Sequence, residues 1–208
     1  MPTTQTFAMM AGAVLVAGLA GTWAATTLTG TKDGFAACGG AQVAGGAAQI
    51  GGPFELINAR GETVTDKDVI TEPSLVYFGY TFCPDVCPLD TARNADAVDL
   101  LAEKGHSVTP VFISIDPERD TPEVVGDFAM NLHEKMIGLT GSAEQVKAAS
   151  RAYKTYYKAH PAEDEYYLVD HSTFTYLVLP EHGFVQYYKR DASPEEIAEN
   201  VACYINLG

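Results

Sequence analysis

The chain has 208 residues, 47% of them hydrophobic and 19% charged, enough to bury one sizeable core in a single globular domain with some residues left over. Lys and Arg number 13 against 27 Asp and Glu, a formal charge of -14; so acidic a surface is repelled by phosphate backbones, which argues against nucleic acid as a partner. Four cysteines (Cys38, Cys83, Cys87, Cys203) are too few to scaffold a chain of this size with disulfides, so at least one pair reads as a working site.

Residues 1–31 carry no ionisable side chain, and Lys32 is the first charged residue. The apolar run from Phe7 to Leu28 would rise roughly 33 Å as a helix, enough to cross a bilayer once. Residues 1–29 are therefore expected to be a transmembrane anchor or, alternatively, a signal segment cleaved among the small residues 20–26. In either case the remainder of the chain leaves the cytoplasm. Residues 30–52 are dominated by Gly and Ala without an apolar period and read as a flexible linker, with Cys38 as an incidental exposed thiol.

Globular patterning begins at Pro53 and is expected to continue to residue 208. Phe54–Asn58 and Glu62–Thr65 read as a hairpin turning at Gly61. Ser74–Tyr80 is an apolar, β-branched and aromatic run of the kind buried on both faces of a parallel sheet. A helical period from Leu89 to Ala102, ended by Gly105, leads to a second strand over Val108–Ile115. This βαβ unit should have parallel strands and a right-handed crossover. Thr121-Pro122 starts a helix running to about Leu132. Ser142-Ala-Glu-Gln145 and Ser193-Pro-Glu-Glu196 are capping boxes opening two more helices. Tyr166–Val169, Phe174–Leu179 and Phe184–Tyr188 read as strands, the last two joined by a turn at Pro180–Gly183, and Cys203 falls in the last helix as a buried inert thiol. The order is hairpin, β, α, β, α, α, β, β, α. It implies an α/β fold of thioredoxin-like arrangement: a mixed sheet flanked by helices, preceded by the hairpin and the membrane-spanning segment.

The chemistry concentrates in Phe78-Gly-Tyr-Thr-Phe-Cys83-Pro-Asp-Val-Cys87-Pro88. Two cysteines spaced i, i+4 lie on one face of a helix, and at a helix N-terminus the unpaired N–H groups and the dipole favour thiolates. Pro84 and Pro88 suit a first turn, where proline is tolerated. The two sulfurs can pair as a redox disulfide or bind a soft or borderline ion such as Cu(I) or Zn(II). A third ligand would be a histidine. His106, His133, His160 and His182 read as solvated polar residues, whereas His171 interrupts an apolar stretch at a strand end, where it is either a ligand or a hydrogen-bonded core histidine. Asp85 reads as a turn residue, and Asp116–Thr121 as turn and cap, with Arg119 able to border the site.

The cysteine motif, together with Phe112-Ile-Ser-Ile-Asp-Pro-Glu-Arg-Asp-Thr121 and Val169-Asp-His-Ser172, resembles the Sco/SenC family of thioredoxin-like copper chaperones that assemble the binuclear copper centre of cytochrome c oxidase. The resemblance covers roughly residues 50–206. It implies that Cys83, Cys87 and His171 bind copper, as Cu(I) and also Cu(II), and that the cysteine pair can form a redox-active disulfide. It further implies an N-terminal anchor in the bacterial inner membrane with the domain on the periplasmic side. The partners it implies are the copper-bearing oxidase subunit and either a periplasmic thioredoxin-like reductant or another copper chaperone. Two other functions stay open at this point: a thiol-disulfide oxidoreductase that keeps the oxidase's copper-ligand cysteines reduced, and a redox or copper sensor.

Overall fold

The computed structural model of the chain describes residues 34–39, 50–160 and 166–208. The chain divides into two units, Met1–Ala36 and Ala37–Gly208, and the second carries the sheet, its helices and the cysteine motif. The expected membrane segment at 1–29 and most of the linker lie outside the described residues; among the described residues no helix is long and apolar enough to cross a membrane.

In chain order the elements are β1 (Glu55–Asn58), β2 (Thr63–Thr65), α1 (Asp66–Val69), β3 (Ser74–Gly79), α2 (Val86–Glu103), β4 (Thr109–Ser114), α3 (Pro122–Leu132), β5 (Ile137–Thr140), α4 (Ala143–Ala152), β6 (Tyr157–Ala159), β7 (Val169–His171), β8 (Thr175–Leu179), β9 (Gly183–Tyr188) and α5 (Pro194–Leu207). A seven-stranded sheet runs β2-β1-β5-β4-β3-β8-β9, and β6 pairs with β7 as a separate ribbon. β3, β4 and β5 are parallel, while β8 runs antiparallel to β3. All six residues of β3 and all six of β4 are buried, which is why these runs lack the polar alternation of a half-exposed strand. The sheet is the expected thioredoxin-like mixed sheet flanked by helices.

The helix starts form as their sequences require. Thr121 Oγ1 accepts from the Val124 N–H with Pro122 in the first turn. At Ser142 and Ser193 both halves of the capping box are present, so two otherwise orphaned N–H groups are satisfied at each site. Gly61 (φ +76°) turns the β1–β2 hairpin, and Gly105 (φ +82°) follows α2 with its N–H on the Ala102 carbonyl.

Three elements were not legible in the sequence. β5 inserts between β1 and β4, so the hairpin is part of the main sheet through β1. Four residues with a glycine carry no period, and the glycine is needed because a Cβ on Gly138 would lie 2.5 Å from the Val125 carbonyl oxygen of α3. β6 is short and mostly exposed, and α1 is a single turn capped by Thr65 and Asp68. The strand expected at Tyr166–Val169 lies instead at Val169–His171, because its partner β6 pairs Tyr157 with His171 and Ala159 with Val169.

The two remaining cysteines correct the sequence reading. Cys38 is neither exposed nor a free thiol: it is 6% accessible and disulfide-bonded to Cys203, so Cys203 is not an inert thiol either. A bridge across a sequence separation of 165 residues leaves no local pattern to read. Asn200 donates to the Cys38 carbonyl at 2.7 Å and Gln186 to that of Gly39 at 3.2 Å, so this part of the linker is fastened to α5 and β9.

Candidate metal centre

The cysteine loop is set by the end of β3. Beyond it, Thr81 is fastened to buried Asp120, whose carboxylate accepts from the Thr81 N–H at 3.0 Å and hydroxyl at 2.5 Å, and from Ser114 Oγ at 2.6 Å. Burial raises the Asp120 pKa, and these three donors oppose the rise. The Cys83 N–H closes a turn on the Tyr80 carbonyl. Helix α2 then begins with Asp85 at its N-cap, but the Asp85 side chain makes no capping bond. The Cys83 sulfur takes that place, accepting from the Cys87 N–H at 3.4 Å. An orphan donor of the first turn is thus satisfied by the atom that carries the chemistry.

His171 is distant in sequence and comes from the end of β7. Its Nδ1 lies 2.8 Å from the Ser172 carbonyl oxygen; a carbonyl can only accept, so Nδ1 carries a proton and Nε2 is the nitrogen turned toward the sulfurs. That Nε2 lies 3.3 Å from Cys87 Sγ. The ligating atoms of Cys83, Cys87 and His171 all fall within 4.8 Å of one another, and no other such group occurs among the described residues. Tyr77 and Tyr80 stand edge-on to the imidazole at centroid distances of 6.3 and 5.8 Å, restricting its rotation. Cys87 is fully buried and Cys83 is 8% accessible, so a ligand reaches the trio from the Cys83 and His171 side.

The two sulfurs differ in charge. The Cys87 thiol, His171 and the N–H groups of Cys87 and Asp85 stabilise a Cys83 thiolate against the cost of burial and hold its pKa down to about 3. Cys87 is pushed up, first by sharing its proton with Cys83 and then by its own burial. The centre therefore holds one thiolate, one thiol and one imidazole ring. A soft thiolate-imidazole set of this kind suits Cu(I) or Zn(II) and offers nothing to hard ions such as Mg²⁺ or Ca²⁺.

The structure brings together the three residues singled out in the sequence. Asp85 stays outside the trio, as a turn residue. His133 faces Asp99 and His160 faces Asp170, and neither belongs to the trio. The supporting residues were less legible. A Cβ on Gly79 would lie 2.9 Å from Cys87 Sγ, so only glycine admits the sulfur; an isolated glycine within an apolar strand is the signal for such a close approach. Buried Asp90, one turn along α2, accepts from the Tyr77 hydroxyl at 3.0 Å and from Arg190 at 3.2 Å, fixing the ring beneath Cys87. Arg119 pairs with Asp116 at 2.6 Å, consistent with a turn former, and also lies over the Tyr80, Phe82 and Tyr167 rings, so it borders the site.

Comparison with known proteins gives a consistent picture. The SCO1/SenC family model matches residues 42–206. Protein SenC of Rhodobacter capsulatus is 54% identical over 203 residues, covering 98% of this chain and 90% of that protein. The crystal structure of Arabidopsis thaliana ScoI with copper bound is 43% identical, with a TM-score of 0.72 over 76% of this chain and 99% of that one. A structure of BsSco, a member of the Sco family of cytochrome c oxidase assembly proteins in which a disulfide switch was identified, is 27% identical, with a TM-score of 0.60 over 76% of this chain and 94% of that one.

Proposed function

Because this chain belongs to the SCO1/SenC family, we propose that it is a copper chaperone: it takes up Cu(I) through Cys83, Cys87 and His171 and delivers it to the copper-bearing subunit of cytochrome c oxidase. The observation that carries this reading is the convergence of two sulfurs and the His171 Nε2 within 4.8 Å. Cys83 meets the ion as a thiolate, and Cys87 gives up its proton on binding, so uptake releases that proton. Three ligands leave the ion open to attack by an incoming thiolate. The cargo can thus pass by stepwise ligand exchange, without a free ion.

Delivery of this kind places the domain outside the cytoplasm, held to the bacterial inner membrane by residues 1–29 on the periplasmic side. The Cys38–Cys203 bridge supports such a compartment, since disulfides persist where the medium is oxidising. A dithiol there requires a source of electrons, which a periplasmic thioredoxin-like reductant would supply.

The unequal sulfurs favour a second reading, thiol-disulfide exchange on the recipient's cysteines. Cys83 thiolate attacks a recipient disulfide, forming a mixed disulfide and expelling a recipient thiolate. Cys87, giving its proton to that thiolate, then attacks Cys83, which closes the Cys83–Cys87 bond and frees the second recipient thiolate; two electrons pass to the recipient. His171→Ala separates the readings. If delivery is the function, the variant fails to load and transfer Cu(I) and oxidase copper-centre assembly stops; assembly that continues with the variant would overturn it in favour of exchange.

A further inference from the structure

His171 is the outlying member of the trio. It lies 84 residues from Cys87, on a ribbon of two three-residue strands outside the main sheet. So short a two-stranded ladder is marginal by itself. Something else must hold β7 against the cysteine loop, and one side chain, Arg119, gathers several of the contacts just ahead of it.

Arg119 comes from the turn between β4 and α3. Its Nε meets Asp116 Oδ2 at 2.6 Å, and its Nη1 donates to the Tyr167 carbonyl at 3.0 Å, two residues before β7. The guanidinium lies over the Tyr167 ring at 3.6 Å from the centroid, and its charge also faces Phe82 at 5.0 Å and Tyr80 at 5.6 Å. The Tyr167 hydroxyl donates to the other oxygen of Asp116 at 2.6 Å, so Asp116 and Arg119 grip Tyr167 at its carbonyl, ring face and phenol. Beside this grip, the Val169 N–H donates to the Tyr80 hydroxyl at 3.3 Å, and the Tyr80 ring stands against the His171 imidazole. The Arg119 side chain is 12% accessible and that of Asp116 4%, so the charges act with little screening by water.

We propose that Arg119 is a positioning residue for His171: by clamping Tyr167 to Asp116 and to the aromatic side of the cysteine loop, it holds β7 where Nε2 completes the copper site. This rests on the reading of His171 as a copper ligand. Arg119 is suited to the task because its planar fork can bond Asp116 and Tyr167 while stacking on a ring, which the point charge of a lysine cannot reproduce. Outer residues that orient metal ligands change affinity by about 10–100-fold when removed, and an effect at the lower end is expected here because the β6 ladder remains.

The test is a mutant cycle on the full chain with Cu(I) as the probe. Arg119→Met should weaken Cu(I) binding by about tenfold, Tyr167→Phe, which removes only the phenol, should weaken it less, and Arg119→Lys should restore only part of the loss. In a His171→Ala background Arg119→Met should cause no further loss, because the residue acts through His171. In the copper-free protein, Arg119→Met should speed hydrogen exchange at residues 167–171 while β3 and β4 keep their protection. The inference is overturned if the Arg119→Met loss is equal in both backgrounds, if affinity does not change, or if residues 167–171 exchange as in the parent. If His171→Ala alone leaves affinity unchanged, the ligand reading fails instead, and exchange in the copper-free protein still decides whether Arg119 positions the loop.

Discussion

Gly79→Ala tests how closely the copper site is fitted to the end of β3. An added Cβ would lie 2.9 Å from Cys87 Sγ, 2.9 Å from Tyr77 Cε1 and 3.0 Å from Phe112 Cε2. Comfortable separations are about 3.5–4.0 Å, so each contact is short by roughly 0.5–1 Å. The strand cannot retreat, because the Gly79 carbonyl accepts from the Ile115 N–H at 2.8 Å and the residue is in register with Ser114. Tyr77 is held through its hydroxyl on Asp90, and Phe112 packs on Phe128 at 4.6 Å between centroids. The sulfur is left as the most movable neighbour. Overpacking of this kind costs about 1–3 kcal/mol, and a displaced Cys87 should weaken Cu(I) binding by about tenfold, the equivalent of roughly 1.4 kcal/mol. Urea unfolding of the copper-free protein should show a lower midpoint with an unchanged slope, and competition titration with a Cu(I) chelator reads the affinity. Gly105→Ala is the control: it has a positive φ but open space around it, so it should lose stability alone. A Gly79→Ala protein with parental stability and parental copper affinity would refute the reasoning.

Replacing Cys38 and Cys203 by serine opens a bridge of sequence separation 165, for which the chain-entropy model gives about 5 kcal/mol as an upper value and measured bridges typically 2–4 kcal/mol. Thermal unfolding should fall accordingly while Cu(I) stoichiometry is unchanged. Alkylation with iodoacetamide should strike Cys83 before Cys87 at neutral pH, and its rate at Cys83 should stay nearly flat down to about pH 5, because the thiolate persists to a pKa of about 3. The linked stability has a definite sign. Lowering the Cys83 pKa from 9.0 contributes stability present above pH 9 and lost as pH falls through about 3, while the raised Cys87 opposes it by losing stability as pH rises past 9. Chemical denaturation of the parent and a Cys83→Ser variant across this range checks it.

The cysteine pair was legible because its chemistry is local: Cys83 and Cys87 share one turn, two prolines mark that turn, and an apolar strand precedes it. His171 was visible only as a polar interruption of an apolar run, since nothing local says which helix start it will face. The same limit applies to Arg119, whose contact with Tyr167 crosses 48 residues; its turn and ion pair with Asp116 are local and readable, its aromatic contacts are not. β5 and β6 escaped because three or four residues cannot establish a period. The helices were legible almost to the residue where a capping side chain marks the start, as at Thr121, Ser142 and Ser193.

The most direct test of the central claim is the coordination of copper in the full chain, loaded anaerobically with Cys83 and Cys87 as thiols and measured by X-ray absorption. One Cu(I) per chain with two sulfur neighbours and one imidazole nitrogen is expected, with one sulfur lost in Cys83→Ser or Cys87→Ser and the nitrogen lost in His171→Ala. Less than half an equivalent bound, or the same coordination in all three variants, would contradict the account.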